Sequence, residues 1–310
     1  MFEPVDQPHR AGPIPRAAAN TRLSGKLGDP GWGKQAFEQG HIAGAQHLDL
    51  DTMLSVAPNA HGRHPLPTRQ QWLAQVCALG LRNDAQIVAY DDAGGCFAAR
   101  AWWMLRWLGH ANVAVLDGGL GHWPGALEQG TGVATTASAF AAKEPLTRLY
   151  SSADVLDIVH ATSANQPTLV DARSFERFAG QEEPIDPVAG HIPGAQCLPF
   201  TDNLDENGYF KPPGQLAERF AQYHDPNNLV CYCGSGVTAT HNILAARLAG
   251  LPEPGLCADS WSGWITDPSR PGQRCEPWRT ANLLNPPLLR GEMINPLRHA
   301  TTTFTTVAMA

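Results

Sequence analysis

The chain has 310 residues, 43% of them hydrophobic and 16% charged, a balance that excludes a disordered or fibrous chain and allows two medium-sized globular domains. A formal charge of −7 supplies no basic face for nucleic acid, and no apolar run approaches the roughly 20 residues of a membrane span. The start Met1-Phe2-Glu3-Pro4-Val5-Asp6 has no apolar signal segment, and seven cysteines (77, 96, 197, 231, 233, 257, 275) without a CxxC pair disfavour a disulfide scaffold or zinc ribbon and fit a reducing cytoplasm.

In chain order, residues 16–22 are small and polar and follow Pro8, Pro13 and Pro15, which predicts a poor central strand. A helix is expected over 70–79, stopped by Gly80, then a strand over 86–90 and a helix over 97–108, stopped by Gly109. Residues 125–145, rich in Ala, Gly and Thr, read as a linker. Beyond it come a buried strand at 168–171, a helix over 213–223 with Leu216 and Phe220 spaced by four, and a second buried strand at 229–232. A helix over 237–248 ends at Gly250 and Pro252, and residues 281–310, with Pro286-Pro287 and Thr301-Thr302-Thr303, look like an extension outside the core. Alternating strands and helices predict an α/β fold with mostly parallel sheets.

The order of landmarks repeats. Gly40-His41-Ile42-Ala43-Gly44-Ala45-Gln46 returns as Gly190-His191-Ile192-Pro193-Gly194-Ala195-Gln196, the strand ending at Tyr90 returns as the one ending at Tyr232, and Gly121-His122-Trp123 is answered by Ser262-Gly263-Trp264. Offsets drifting from 150 to 141 residues indicate a duplicated domain rather than a short-period solenoid. The expected boundaries are 1–124, a linker at 125–145, 146–280, and the extension at 281–310.

Cys233 directly follows the second copy's apolar strand and opens the loop Cys233-Gly234-Ser235-Gly236-Val237-Thr238 before a helix. Backbone N–H groups of such a turn and the positive end of the helix dipole favour an anion at the strand end. The thiolate, not the thiol, is the nucleophile, and the same cradle suits a persulfide anion. A buried structural cysteine is the alternative for Cys233, but open α/β sheets place their sites in this crevice. Cys231, inside the strand, reads as structural. A Cys-x5-Arg phosphatase loop is excluded, because position 239 is Ala and no Arg lies between Cys233 and Arg247.

Taken together, the two Gly-His-Ile-x-Gly-Ala segments, Asp171-Ala172-Arg173, the Cys233 loop and Ser260-Trp261-Ser262-Gly263-Trp264 resemble the tandem-rhodanese thiosulfate/3-mercaptopyruvate sulfurtransferases over roughly residues 22–264. The resemblance implies two rhodanese-like α/β domains, the C-terminal one active and the N-terminal one silent, with Asp91 standing where the second copy has Cys233. It implies Cys233 as nucleophile and Ser235, His64 and Asp51 as a proton relay, with His64 tuned near neutral pH. It also implies substrate contacts from Arg177 and from Gly234, Gly236, Val237 and Thr238. On residue type alone, His64 and Asp51 read as surface polar residues, and Arg173 reads as an ion-pair partner of the sheet.

The neutral Gly234-Ser235 pair leans toward 3-mercaptopyruvate as donor, whereas thiosulfate-preferring members tend to carry basic residues there. Two departures follow from the same comparison. The family's second carboxylate-binding arginine falls at Asp186, and residues 178–190 contain no Arg, which leaves thiosulfate open. Asn20 stands for the aspartate of the first domain's opening Asp-x-Arg. No cofactor and no metal are expected. The expected partners are a small-molecule sulfur donor and an acceptor that is a thioredoxin-like protein, a small thiol or cyanide. A rhodanese module that carries sulfur or binds a partner without turnover is the competing reading.

Overall fold

The computed structural model describes residues 31–132, 135–163 and 165–275 and the backbone of 19–23, so the expected extension at 281–310 lies outside the described residues. The first copy contributes strands β1 (Ala19–Leu23), β2 (His41–Ile42), β3 (Gln46–Leu48), β4 (Ile87–Tyr90), β5 (Val113–Val115) and β6 (Leu127–Glu128), with helices α1 (Trp32–Gln39), α2 (Arg69–Ala78) and α3 (Ala98–Trp107). The second contributes β7 (Leu149–Tyr150), β8 (Thr168–Asp171), β9 (Gln196–Cys197), β10 (Leu229–Tyr232) and β11 (Gly255–Cys257), with α4 (Ser152–His160), α5 (Phe175–Ala179), α6 (Pro213–Phe220), α7 (Ala239–Leu248) and α8 (Ser260–Trp264). Two all-parallel sheets result, in the orders β3-β1-β4-β5 and β7-β11-β10-β8-β9.

The expectation of a poor first strand is corrected. β1 lies in the interior of its sheet, paired with β3 on one side and β4 on the other. All three prolines precede Ala19, so no ladder N–H is missing over the paired stretch. Register also revises the alignment, because Arg22 faces Tyr90 as Asp171 faces Tyr232, two residues away from the proposed Asn20.

Each central strand is buried on both faces, which is why it reads as a continuous apolar run. Ile87 and Ala89 of β4 join Leu229 and Cys231 of β10 in one buried cluster that also holds the packed helices α3 and α7. The alternate residues, Val88 with Tyr90 and Val230 with Tyr232, face two separate outer clusters. Period-two alternation thus divides each strand between a shared core and a private one. The 125–145 segment runs along the first copy: β6 pairs with β2, Ser138 N–H donates to Cys77 O, and Phe140 is buried in the shared core.

The repeated Gly-His-Ile motif has the same geometry in both copies. His41 stacks on Phe37 and bonds its carbonyl through Nδ1 at 2.9 Å; His191 does the same with Phe178 at 2.7 Å. The N–H of Ile42 donates to Tyr90 Oη, and that of Ile192 to Tyr232 Oη. Each buried N–H is satisfied by the tyrosine that ends its own domain's central strand. These histidines brace the fold.

Candidate active site

Cys233 follows β10 directly and is 2% exposed. Its backbone is fixed on both sides: Cys233 N–H donates to Ser260 Oγ at 3.0 Å, and Trp261 N–H and Ser262 N–H donate to the carbonyls of Cys233 and Gly234. Ser260 has φ 53°, a left-handed conformation that costs a non-glycine residue about 1–3 kcal/mol. That conformation accompanies an Oγ bonded to both Cys233 N–H and Cys257 O. Gly236, at φ 77°, brings its N–H to 3.1 Å from Cys233 Sγ, and a Cβ there would strike Ala258 O. Among the described residues this is the one backbone N–H bonded to the sulfur. Val237 is buried further round the turn, and Thr238 occupies the N-cap position of α7 without a side-chain cap bond.

The relay residues do meet. Ser235 Oγ lies 2.8 Å from His64 Nδ1, and His64 Nε2 lies 3.3 Å from Asp51 Oδ1. Asp51 is exposed and His64 largely buried, so the surface reading fails for the histidine. With Nε2–H turned to Asp51, the Ser235 hydroxyl donates to Nδ1. The expectation of near-neutral titration is corrected: burial is the largest influence and, with Arg100 and Arg63, outweighs the pull of Asp51, bringing His64 from 6.5 down to about 4. The unfolded chain therefore binds more protons between pH 6.5 and 4, and the native state loses stability on acidification through that window. An NMR titration of His64 is expected to find a neutral ring down to about pH 4; a midpoint near 6.5 would contradict the burial argument.

His64 reaches the site from a tight turn of the first copy. Asn59 and Gly62 exchange both backbone hydrogen bonds, Gly62 adopts φ 105°, and Arg63 N–H donates to Ser262 Oγ at 3.1 Å. Arg100 of α3 is fully buried beneath this arrangement. Its guanidinium donates to Gly236 O at 2.8 Å, His64 O at 3.0 Å and Leu54 O at 3.3 Å.

Arg177 approaches the loop from α5. It is held by Glu183 at 2.7 Å and Asp186 at 3.1 Å, and both its Nη atoms lie 3.4 Å from where a Cβ on Gly234 would sit. Arg63 Nη2 lies 3.0 Å from the same point, while its Nη1 pairs with Asp186. Two guanidiniums therefore converge over Gly234. Sequence reasoning missed Arg63, although it adjoins His64, and read Asp186 only as a missing cation. Arg173 is a brace: it bonds Asp171 at 2.6 Å and Gly190 O at 2.7 Å and lies over Trp261.

The first copy's loop is filled from within. Asp91 is fully buried, and its two oxygens accept N–H bonds from Ala93, Gly95, Phe97 and Ala98, all at 2.8–2.9 Å. Burial raises its pKa, and the four donors act in the opposite direction. Cys96 beside it is buried, with its thiol pushed well above the ordinary range by burial and by Asp91 and Asp92. Among the described residues, no cluster of three His, Cys, Asp or Glu side chains could hold a metal ion, and no helix is long and apolar enough to cross a membrane.

Comparison with known proteins gives this geometry its family. The Rhodanese-like domain matches twice, over residues 33–126 and 154–267. A Pseudomonas aeruginosa protein named "Probable 3-mercaptopyruvate sulfurtransferase" is 48% identical over 254 residues, covering 79% of this chain and 88% of its own. The mitochondrial "Thiosulfate/3-mercaptopyruvate sulfurtransferase 1" of Arabidopsis thaliana is 33% identical, covering 78% and 70%. The structure of 3-mercaptopyruvate sulfurtransferase from Leishmania major superposes with a TM-score of 0.69 at 29% identity, covering 79% of this chain and 69% of that one. Two matched segments, two parallel sheets and a cysteine loop at the end of the second one agree with these likenesses, and the chain belongs to the rhodanese-like sulfurtransferase family.

Proposed function

We propose that the protein transfers sulfur by a ping-pong route through a persulfide on Cys233, with 3-mercaptopyruvate as donor. The observation that carries this reading is the loop Cys233–Thr238, with Gly236 N–H on the sulfur and Ser235 joined to His64. The Cys233 thiolate attacks the donor's sulfur, the C–S bond breaks, and its electron pair forms the enolate of pyruvate. The proton of the new persulfide S–H passes by way of Ser235, oriented by neutral His64, to the enolate carbon. Pyruvate leaves, and Cys233 holds an anionic persulfide. A thiol, from a thioredoxin-like protein or a small molecule, then takes the outer sulfur and returns Cys233 as thiolate; cyanide would leave as thiocyanate.

The silent copy supports the persulfide step. Asp91 carries its oxygens two bonds beyond Cβ, as a cysteine persulfide carries its outer sulfur, and four N–H groups meet it there. A loop of the same descent around Cys233 would receive that anion in the same way. Asp91 itself cannot accept sulfur, which makes the first copy a scaffold. Arg177 would bind the donor's carboxylate. The thiol chemistry and the lack of any disulfide among the described cysteines suit a cytoplasmic setting.

The test is mass spectrometry after exposure to 3-mercaptopyruvate without acceptor. A one-sulfur increment on the Cys233 peptide, matched by one equivalent of pyruvate and discharged by added thiol over many turnovers, is the expected result. An increment on another cysteine would overturn the assignment. A persulfide that forms once and never turns over would favour the carrier reading instead.

A further inference from the structure

We infer that Ser262 is a positioning residue for the proton relay: from α8 it fixes the distance between Ser235 and His64, which the two different copies of the domain supply. The inference deepens the proposed sulfurtransferase reading and rests on it. Ser262 N–H donates to Gly234 O at 2.8 Å, and Ser262 Oγ accepts from Arg63 N–H at 3.1 Å. One residue thus holds the position immediately before each partner of the Ser235–His64 hydrogen bond. It is 6% exposed, so water competes little for either contact.

Two glycines make the approach possible. Gly62, in the first copy's turn, would carry a Cβ 2.5 Å from Ser262 Oγ, and Gly263 would carry one 2.9 Å from the carbonyl carbon and oxygen of His61. A side chain at either position would push the turn off α8, and His64 would move with it. Other contacts follow the same line: Asp259 Oδ1 lies 3.2 Å from His61 Nδ1, and the Thr266 hydroxyl lies 2.9 Å from Ala60 O. Ser262 adds a bond to the nucleophile loop itself. Arg100 grips the same two segments from beneath, through His64 O and Gly236 O. The geometry has little slack. Ser235 Oγ and His64 Nδ1 are 2.8 Å apart, and a displacement of about 1 Å takes them beyond hydrogen-bond reach. A misplacement of that size costs about a hundredfold in rate. With Arg100 still in place, loss of the Ser262 hydroxyl alone costs less.

A double-mutant cycle on pyruvate release from 3-mercaptopyruvate tests this. Ser262→Ala keeps the backbone bond to Gly234 O and removes only the hold on Arg63 N–H. It is expected to lower kcat about tenfold and to leave KM within about twofold, because the Arg63 guanidinium keeps its own pairing with Asp186. In a His64→Ala background the same substitution is expected to cost less than about twofold, since a residue that acts through His64 has nothing left to position. Gly263→Ala is the second variant and decides the matter if Ser262→Ala fails to fold. Alanine suits the backbone of α8, but its Cβ meets the His61 turn, so a larger fall in kcat is expected, again absent once His64 is gone. Native kcat in Ser262→Ala, a rise in KM with kcat unchanged, or an equal loss with and without His64 would overturn the positioning role while leaving Cys233-dependent turnover standing. A His64→Ala protein with native kcat would remove the relay and this role with it. Absence of Cys233-dependent turnover in the native protein would overturn both the role and the reading beneath it.

Discussion

Replacement of Cys233 by serine is expected to reduce sulfur release from 3-mercaptopyruvate and from thiosulfate by at least about a thousandfold, with thermal unfolding almost unchanged. A serine hydroxyl is not ionised at neutral pH and forms no persulfide, so the first half-reaction has no nucleophile. The side chain is nearly isosteric and Gly236 N–H keeps an acceptor. The bonds from Cys233 N–H and to Cys233 O belong to the backbone and survive. No neighbour can substitute. Cys257 is buried with its thiol pushed up to about 12, and Cys231, also fully buried, is pushed higher still. Turnover by the Cys233→Ser protein above a few per cent of native would sink the assignment.

Arg100→Met is expected to be the most destabilising single change near the site, at about 3 kcal/mol, lowering the melting temperature by roughly 6–12 °C for a chain of this size. Arg100 is wholly enclosed, and burial brings its pKa down to about 10. Its removal strands the buried carbonyls of Leu54 and Gly236 and the partly buried one of His64, each at about 1–3 kcal/mol where water does not reach it. Relief from burying a charge returns part of that sum. Activity should fall as well, because Gly236 O, His64 O and Leu54 O share this one donor and Gly236 N–H faces the sulfur. Thermal melts with steady-state kinetics check both effects, and Arg100→Lys, keeping charge but not the fork, should lie between. A native-like melt would show that the three carbonyls find other donors.

The Cys233 loop, the duplication, and the β4, α3, β10 and α7 segments were legible because they depend on local pattern. An apolar run buried on both faces, a glycine at a positive φ and a repeated motif are written over a few residues each. The resemblance points to Arg177, which does reach the loop at Gly234. Arg63, Arg100 and the bridging Asp186 were not, because each acts across some 40 to 140 residues of sequence, through contacts that periodicity does not encode. His64 does lie against Ser235, but it does not titrate near neutrality, and the burial responsible is invisible from Gly62-Arg63-His64. β1 reads as a poor strand only over a window that includes the prolines, whereas the ladder begins at Ala19.

The interior shared by α3, α7 and the inner faces of β4 and β10 sets a different boundary from the one drawn by the repeat. By descent the chain is two units; by packing the described residues up to 274 form one compact body. Separating the two copies would expose the faces of α3 and α7 to water and take Arg63, His64 and Arg100 away from the Cys233 loop. The first copy is thus tied to the second through this interior. A substitution that lines the shared core in either half has to be accommodated by the other.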